Sequence, residues 1–212
     1  MSELDRSSVE IRLASSADQD ALHTIAPDVV IVSTGAVPRL PEVEVTDIQL
    51  LTAWSVIADE KPVGQNVVIA DWSSDWAGLG VAQKLALSGH KVRLLSGAST
   101  CGESIPAIVR DQWVGELHSL NVEFTYYARF FGAQDRTAFF QHTINGEAIM
   151  CDDVDTIVSC YPPQSNDECD WLINLKHPNI PPFQIKKIGD ALAPRTVEEA
   201  ILEGLKAAWA IR

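Results

Sequence analysis

The stretch NVVIADWSSDWAGLGVAQKLALSGHKVRLLS, Asn66 to Ser96, restricts the fold more than any other part of the chain. NVVIAD reads as a strand buried on both faces, because its apolar residues run without alternation. From about Ala77 to Ser88 the pattern turns helical, with Gly78, Ala82, Leu85, Ala86 and Gly89 on one face. Small residues there let a helix approach a sheet closely. Gly89 stands where a helix ends in left-handed backbone. HKVRLLS is then a second strand, so the whole is a βαβ unit and requires a parallel sheet.

The loop between strand and helix is the place where a dinucleotide-binding turn carries G-x-G-x-x-G/A. Aligned by the strand before and AGLGVA after, that pattern falls on Trp72, Ser74 and Ala77. The first glycine makes a tight turn, the second lets backbone approach the pyrophosphate, and the third allows close helix packing. Only the third role survives, in Ala77. An indole at Trp72 and a carboxylate at Asp75 would crowd and repel a diphosphate. The ribose position after KVRLLSG holds Ser96 and Gly97 instead of an acid.

The remaining segments extend the same architecture. VEIRL, Val9 to Leu13, reads as a short strand, and Ser16 with Gln19 has capping-box spacing for a short helix. Val29 to Val32 are four β-branched residues in a row, as in a parallel strand buried on both faces. Residues 46 to 62 carry a helical pattern with Leu50, Leu51, Trp54 and Ile57 on one side. Ile105 to Ser119 is another helix, with Val109, Trp113, Leu117 and Leu120 as its stripe. VEFTYYARF, AFFQHT and EAIMCD form an antiparallel meander, with Asn145-Gly146 suited to a type I′ turn. VDTIVSCYPP is a further strand and echoes PDVVIVSTGAVP. FQIKKIGD is the last strand, and a final helix starts at Thr196 with Glu199 three residues on. Val197, Ala200, Ile201, Gly204, Leu205 and Ala208 make its expected buried stripe.

Composition narrows the function. A net charge of −13 opposes nucleic-acid binding, and no Lys/Arg stripe overrides it. No apolar run reaches the length of a membrane span, and the first residues lack a secretory apolar core, so the cytoplasm is the expected compartment. Cys101, Cys151, Cys160 and Cys169 are scattered without a C-x-x-C pair and the histidines without an H-x-x-x-H face. No iron–sulfur, zinc or Ser/His hydrolase site is expected. No nucleophile, base or metal ligand is found that could run a reaction alone.

APDVVIVSTGAVPRLPE, DWAGLGVAQKLALSGHKVRLLSG and IGDALAPRTVEEAILEG together resemble the C-terminal nucleotide-binding region of the NADH:flavin oxidoreductase family. That group includes trimethylamine and dimethylamine dehydrogenases and 2,4-dienoyl-CoA reductase. The resemblance implies an α/β fold of Rossmann-like nested dinucleotide-binding domains, with parallel sheets and a small antiparallel β-meander. It implies that residues 1–45 together with 182–212 form a partial FAD- or ADP-type domain lacking its first βα unit. Residues 46–181 would be an inserted NAD(P)H-type domain with a degenerate phosphate loop. The family's second T-G loop is also replaced here, by Ser159-Cys160-Tyr161.

Cofactor-contacting residues implied by the resemblance are Thr34 and Gly35 of the T-G loop, Gly189 and Asp190 of the G-D motif, and Arg195. Asp190 is the first choice among them, with an N-terminal partner of the last helix as its alternative; Arg195 reads equally as a cap or a partner of surface acids. The implied cofactor is FAD or ADP shared with a partner chain, and NAD(P)H is not expected. The partner would be a flavoprotein subunit carrying the barrel and the missing first part of the FAD-type domain. The leading expectation is an auxiliary subunit of a heteromeric flavin-dependent oxidoreductase of amine dehydrogenase or demethylase type. The alternatives are an NAD(P)H-dependent flavin reductase module and a non-enzymatic structural interaction domain.

Overall fold

The computed structural model describes residues 6–175 and 182–211. The chain divides into two compact units, one of Ala36–Ser165 and one of Met1–Gly35 with Asn166–Arg212.

The Ala36–Ser165 unit is built on five parallel strands: β3 (Gln49–Thr52), β4 (Asn66–Asp71), β5 (Lys91–Ser96), β6 (Glu123–Thr125) and β10 (Thr156–Cys160). Their order is β3-β10-β4-β5-β6, with β4 central. Chain crossovers leave β4 toward β5 and β6 and later return to β10 on its other side. The C-terminal end of β4 is therefore a topological switch point, where open α/β sheets bind ligands. Side-chain alternation divides β4 between two cores. Val67 and Ile69 pack with Leu79, Val81, Ala82, Leu85 and Leu117, from α3 (Trp76–Leu87) and α4 (Ala107–Ser119). Val68 and Ala70 face Phe130, Ala138 and Phe140. These belong to the antiparallel meander of β7 (Ala128–Gln134), β8 (Thr137–His142) and β9 (Ala148–Cys151). The result is the expected α/β, Rossmann-like layering, helices on one face and meander on the other. A short antiparallel pair, β2 (Ala36–Val37) with β11 (Gln164–Ser165), closes the unit.

Several local expectations are corrected. Over residues 46 to 62 the chain forms strand β3 and then a single turn, α2 (Ala53–Ile57), capped by Thr52 Oγ1 on Ser55 N. Leu50 and Leu51 are drawn into a parallel ladder with Ile157 and Val158, and that pairing overrides the helical spacing. Trp54 and Ile57 are left exposed. On α4, Leu117 is buried while Val109 lies exposed. The β8–β9 hairpin is present, but of Asn145 and Gly146 only Gly146 has positive φ, so the turn is not type I′. Gly89 does end α3 at φ +87°, with His90 N donating to Leu85 O.

The second unit pairs β1 (Val29–Val32) with β12 (Gln184–Lys187) in parallel, Val29 opposite Gln184. Among the described residues β1 has no other strand partner. Val32 is buried and the three residues before it are only half covered, short of the two-sided burial expected. Residues 9–13 form no strand, and Val9, Ile11 and Leu13 are exposed because no neighbouring strand offers a ladder. The short helix is α1 (Gln19–Ile25), capped by Asp18 rather than Ser16. In α5 (Val197–Trp209) the Thr196–Glu199 capping box forms as expected. Its expected buried stripe does not: Val197 is 75% and Ile201 67% exposed, Leu205 is exposed too, and Ala207 is the buried residue.

Candidate functional site

Each unit carries one candidate site. In the Ala36–Ser165 unit the turn after β4 holds its shape without glycines. Ser74 takes left-handed backbone at φ 48°, and its N–H donates to Asp71 Oδ1 at 2.9 Å. An aspartate side chain thus supports the reversal that a glycine otherwise allows. Ser74, at the position of the second glycine, is pinned on all sides. Its Oγ donates to Thr100 O at 2.9 Å and accepts Glu103 N at 3.0 Å. Its carbonyl accepts both Ser104 N and Ser104 Oγ. The α3 N-terminus is capped by Asp75, whose Oδ1 accepts Ala77 N at 2.8 Å, which places a carboxylate where a diphosphate would lie.

The Trp72 indole covers the rest of the turn. A β-carbon on Gly97 would sit 2.6 Å from Trp72 Cε3, so the ring rests directly on the backbone after β5. The ring also stacks on Tyr161 after β10, centroids 6.3 Å apart at 21°. Trp72 thereby spans from the loop after β5 to the loop after β10, the two strands that flank β4. Trp76 goes elsewhere: it pairs with Trp113 of α4 at 6.0 Å and does not enter the turn.

Beneath the turn lies Asp71, a residue the sequence pattern did not single out. It is 1% exposed, and its Oδ2 has no hydrogen-bond partner. Burial pushes its pKa up from 3.8 to about 7, against the opposing Ser74 N–H bond and with Asp75 adding to the rise. Gly78 makes this packing feasible, since a β-carbon there would come within 2.5 Å of Oδ2. The nearby thiols of Cys101 and Cys160 are pushed up by burial first and by Asp71's charge second, which makes them poor nucleophiles. Among the described residues no cluster of acids, histidines or cysteines is arranged to hold a metal.

In the other unit, β1 and β12 end side by side. The loops that follow bring Thr34-Gly35 and Gly189-Asp190 to the same C-terminal edge of the pair. Gly35 and Gly189 both have positive φ, +77° and +59°. Asn166 N donates to Gly35 O at 3.0 Å, and Thr34 Oγ1 reaches Asn166 O at 3.4 Å. Gly189 N donates to Glu203 Oε2 at 2.7 Å, and Asp190 Oδ1 accepts Arg195 N at 3.1 Å. The Arg195 guanidinium pairs with Glu203 and reaches Ala193 O at 3.3 Å. Arg195, with Gly189 N–H, holds the Glu203 carboxyl below the usual range. Four of the five expected residues thus share one edge, while Arg195 is tied into the turn before α5. An FAD or ADP at this edge would find only flanking groups. Asp190 keeps one carboxylate oxygen, whereas the Gly189 amide is committed to Glu203 and the Thr34 hydroxyl already donates to Asn166 O. Glu203 and Asn166 complete this edge, and no spacing signal marks either.

The chain's likenesses in sequence and structure are to oxidoreductases. The chain is 24% identical over 230 residues to a probable N-methylproline demethylase of Rhizobium meliloti (strain 1021), covering 97% of this chain and 34% of that protein. It is 28% identical over 127 residues to an N,N-dimethylglycine/sarcosine dehydrogenase of Chromohalobacter salexigens, covering 54% of this chain and 18% of the relative. The structure of histamine dehydrogenase from Rhizobium sp. 4-9 superposes with a TM-score of 0.83 at 17% identity, over 93% of this chain and 32% of that one. At such identity the superposition speaks for the fold alone. The chain spans about a third or less of the length of these relatives. No protein-family model matches it. Among the described residues no helix is long and apolar enough to cross a membrane.

Proposed function

We propose that this chain is the non-catalytic nucleotide-binding part of a flavin-dependent oxidoreductase of the amine dehydrogenase or demethylase type. It acts as an auxiliary subunit beside a cytoplasmic flavoprotein partner, which carries the barrel and the first strand–turn–helix of the FAD-type domain. The observation that carries this reading is Trp72, whose ring rests on Gly97 and stacks on Tyr161 across the switch point. With Asp75 capping α3, the turn presents an indole and a carboxylate to any diphosphate, so NAD(P)H has no cradle. Thr34, Gly35, Gly189 and Asp190 flank an FAD or ADP whose remaining contacts come from the partner. The flavin supplies the acceptor for the substrate's electrons, and this chain's residues supply only binding and orientation.

Co-purification from the native source, with an absorbance spectrum and mass identification of companions, tests the reading. The expected result is a flavoprotein companion, with flavin or ADP retained by the complex and no micromolar NADH or NADPH binding by calorimetry. Micromolar nicotinamide-nucleotide binding by the isolated chain would overturn it in favour of a flavin reductase module. A complex without flavin or ADP would leave a structural interaction domain.

A further inference from the structure

A cleft of about 490 Å³ opens beside the Trp72 ring, lined by Trp72, Ser73, Gly97, Ala98, Glu103 and Ser104 together with Ser74. Counting its donors limits what it accepts. Trp72 N and Ser73 N both donate to Cys160 O, and Ser74 N to Asp71. Gly97 N donates to Asp71 O, and Ala98 N to Ser96 Oγ. Glu103 N and Ser104 N are taken by Ser74. Every backbone amide lining the cleft is therefore committed within the protein. The hydroxyls of Ser74 and Ser104 are committed as well, to Thr100 O and Ser74 O. No Lys or Arg lines the cleft.

What remains is of the opposite polarity. Glu103 Oε1 accepts Ser99 Oγ at 2.8 Å, and no contact occupies Oε2. Among the described residues Ser73 Oγ has no protein partner. Trp72 is 42% exposed and offers an aromatic surface beside them. An anion finds no backbone amide and no cationic side chain here, only the Ser73 hydroxyl and the Trp72 indole N–H beside a carboxylate, whereas an organic cation finds that carboxylate, a hydroxyl oxygen and a ring quadrupole.

We propose that this cleft is a binding site for a small organic ammonium cation, held against the Trp72 indole and the Glu103 carboxylate. The inference deepens the proposed function at the same turn and rests on its claim that the turn no longer takes a diphosphate. Methyl-bearing ammonium groups suit it best, since they keep their charge while shedding water readily against an aromatic face. The α3 N-terminus, which would repel a cation, is already neutralised by its Asp75 cap.

The test is a backbone-amide NMR titration of the full chain at constant ionic strength, using choline chloride, its uncharged isostere 3,3-dimethylbutan-1-ol, and NADH. Saturable shifts with choline, centred on Trp72, Ser73, Gly97, Ala98 and Glu103, are expected, with little response to the neutral isostere. Glu103→Gln, an exposed position, weakens choline binding by roughly two- to five-fold. Trp72→Leu weakens it by a similar factor. An absent choline response, an equal response to the isostere, or an unchanged affinity in folded Glu103→Gln overturns the inference and leaves the proposed function standing. Saturable NADH shifts at the same amides overturn both.

Discussion

At Asp71 a carboxyl group is buried with one oxygen bonded to Ser74 N and the other bonded to nothing. Its pKa rises from 3.8 to about 7, so between those values the folded protein holds a proton that the unfolded chain releases. The stability this contributes is present below the unfolded pKa and is lost as pH rises through the folded one. Urea unfolding of the Ala36–Ser165 unit is expected to lose roughly 2–3 kcal/mol between pH 5 and pH 8.5 on this account. Asp71→Asn, which keeps the acceptor for Ser74 N, flattens that slope. A slope unchanged by the substitution would assign it to other groups. Gly78→Ala would stabilise an ordinary exposed helix, but here the added methyl meets Asp71 Oδ2. A loss of about 1–3 kcal/mol in thermal unfolding is expected instead. The missing glycines at Trp72 and Ser74 were plain in the sequence, because the βα pattern says where glycine belongs. Asp71, Glu203 and Asn166 were not, because their roles depend on which distant backbone group each one meets.

Elements were legible where local pattern and tertiary demand agreed. The β4–α3–β5 unit, the meander and the α5 capping box could all be read from spacing. Leu50 and Leu51 could not, since a neighbouring strand took residues whose own spacing is helical. The α5 stripe misled in another way. Its pattern correctly marks an apolar face, but the described residues of its unit leave Val197, Ile201, Leu205 and Trp209 uncovered. These four follow one another at helical spacing along a single side. Under the proposed function that side, with the unpaired edge of β1, receives the partner. The double substitution Ile201→Glu and Trp209→Glu is expected to change the chain's own stability by no more than about 0.5 kcal/mol. It should also abolish recovery of the flavoprotein companion in co-purification. A mutant that still brings the companion down assigns the contact to another surface.

Across the molecule, the two units differ in how much core they own. The larger buries an uninterrupted set from Leu51 to Cys160 on one sheet face and a second set on the other. The smaller gathers Leu22, Val32, Leu172 and Ala191 around a two-stranded ribbon. Hydrogen exchange should reveal that difference, because protection follows local core size. Amides of Val30 to Val32 are expected to exchange at least about ten-fold faster than those of Val67 to Ile69 in the isolated chain. Equal protection in both strands would mean that the small unit is stable without further cover.

The way Ser74 is wired has an evolutionary corollary. Restoring a glycine at Trp72 would lift the indole off Gly97, yet the serine's several bonds to Asp71, Thr100, Glu103 and Ser104 would still fix the loop. Replacing Ser74 first would strip only its hydroxyl's bonds to Thr100 O and Glu103 N while the slot stayed blocked. Neither substitution alone opens the slot, so a diphosphate cradle at this turn requires both at once.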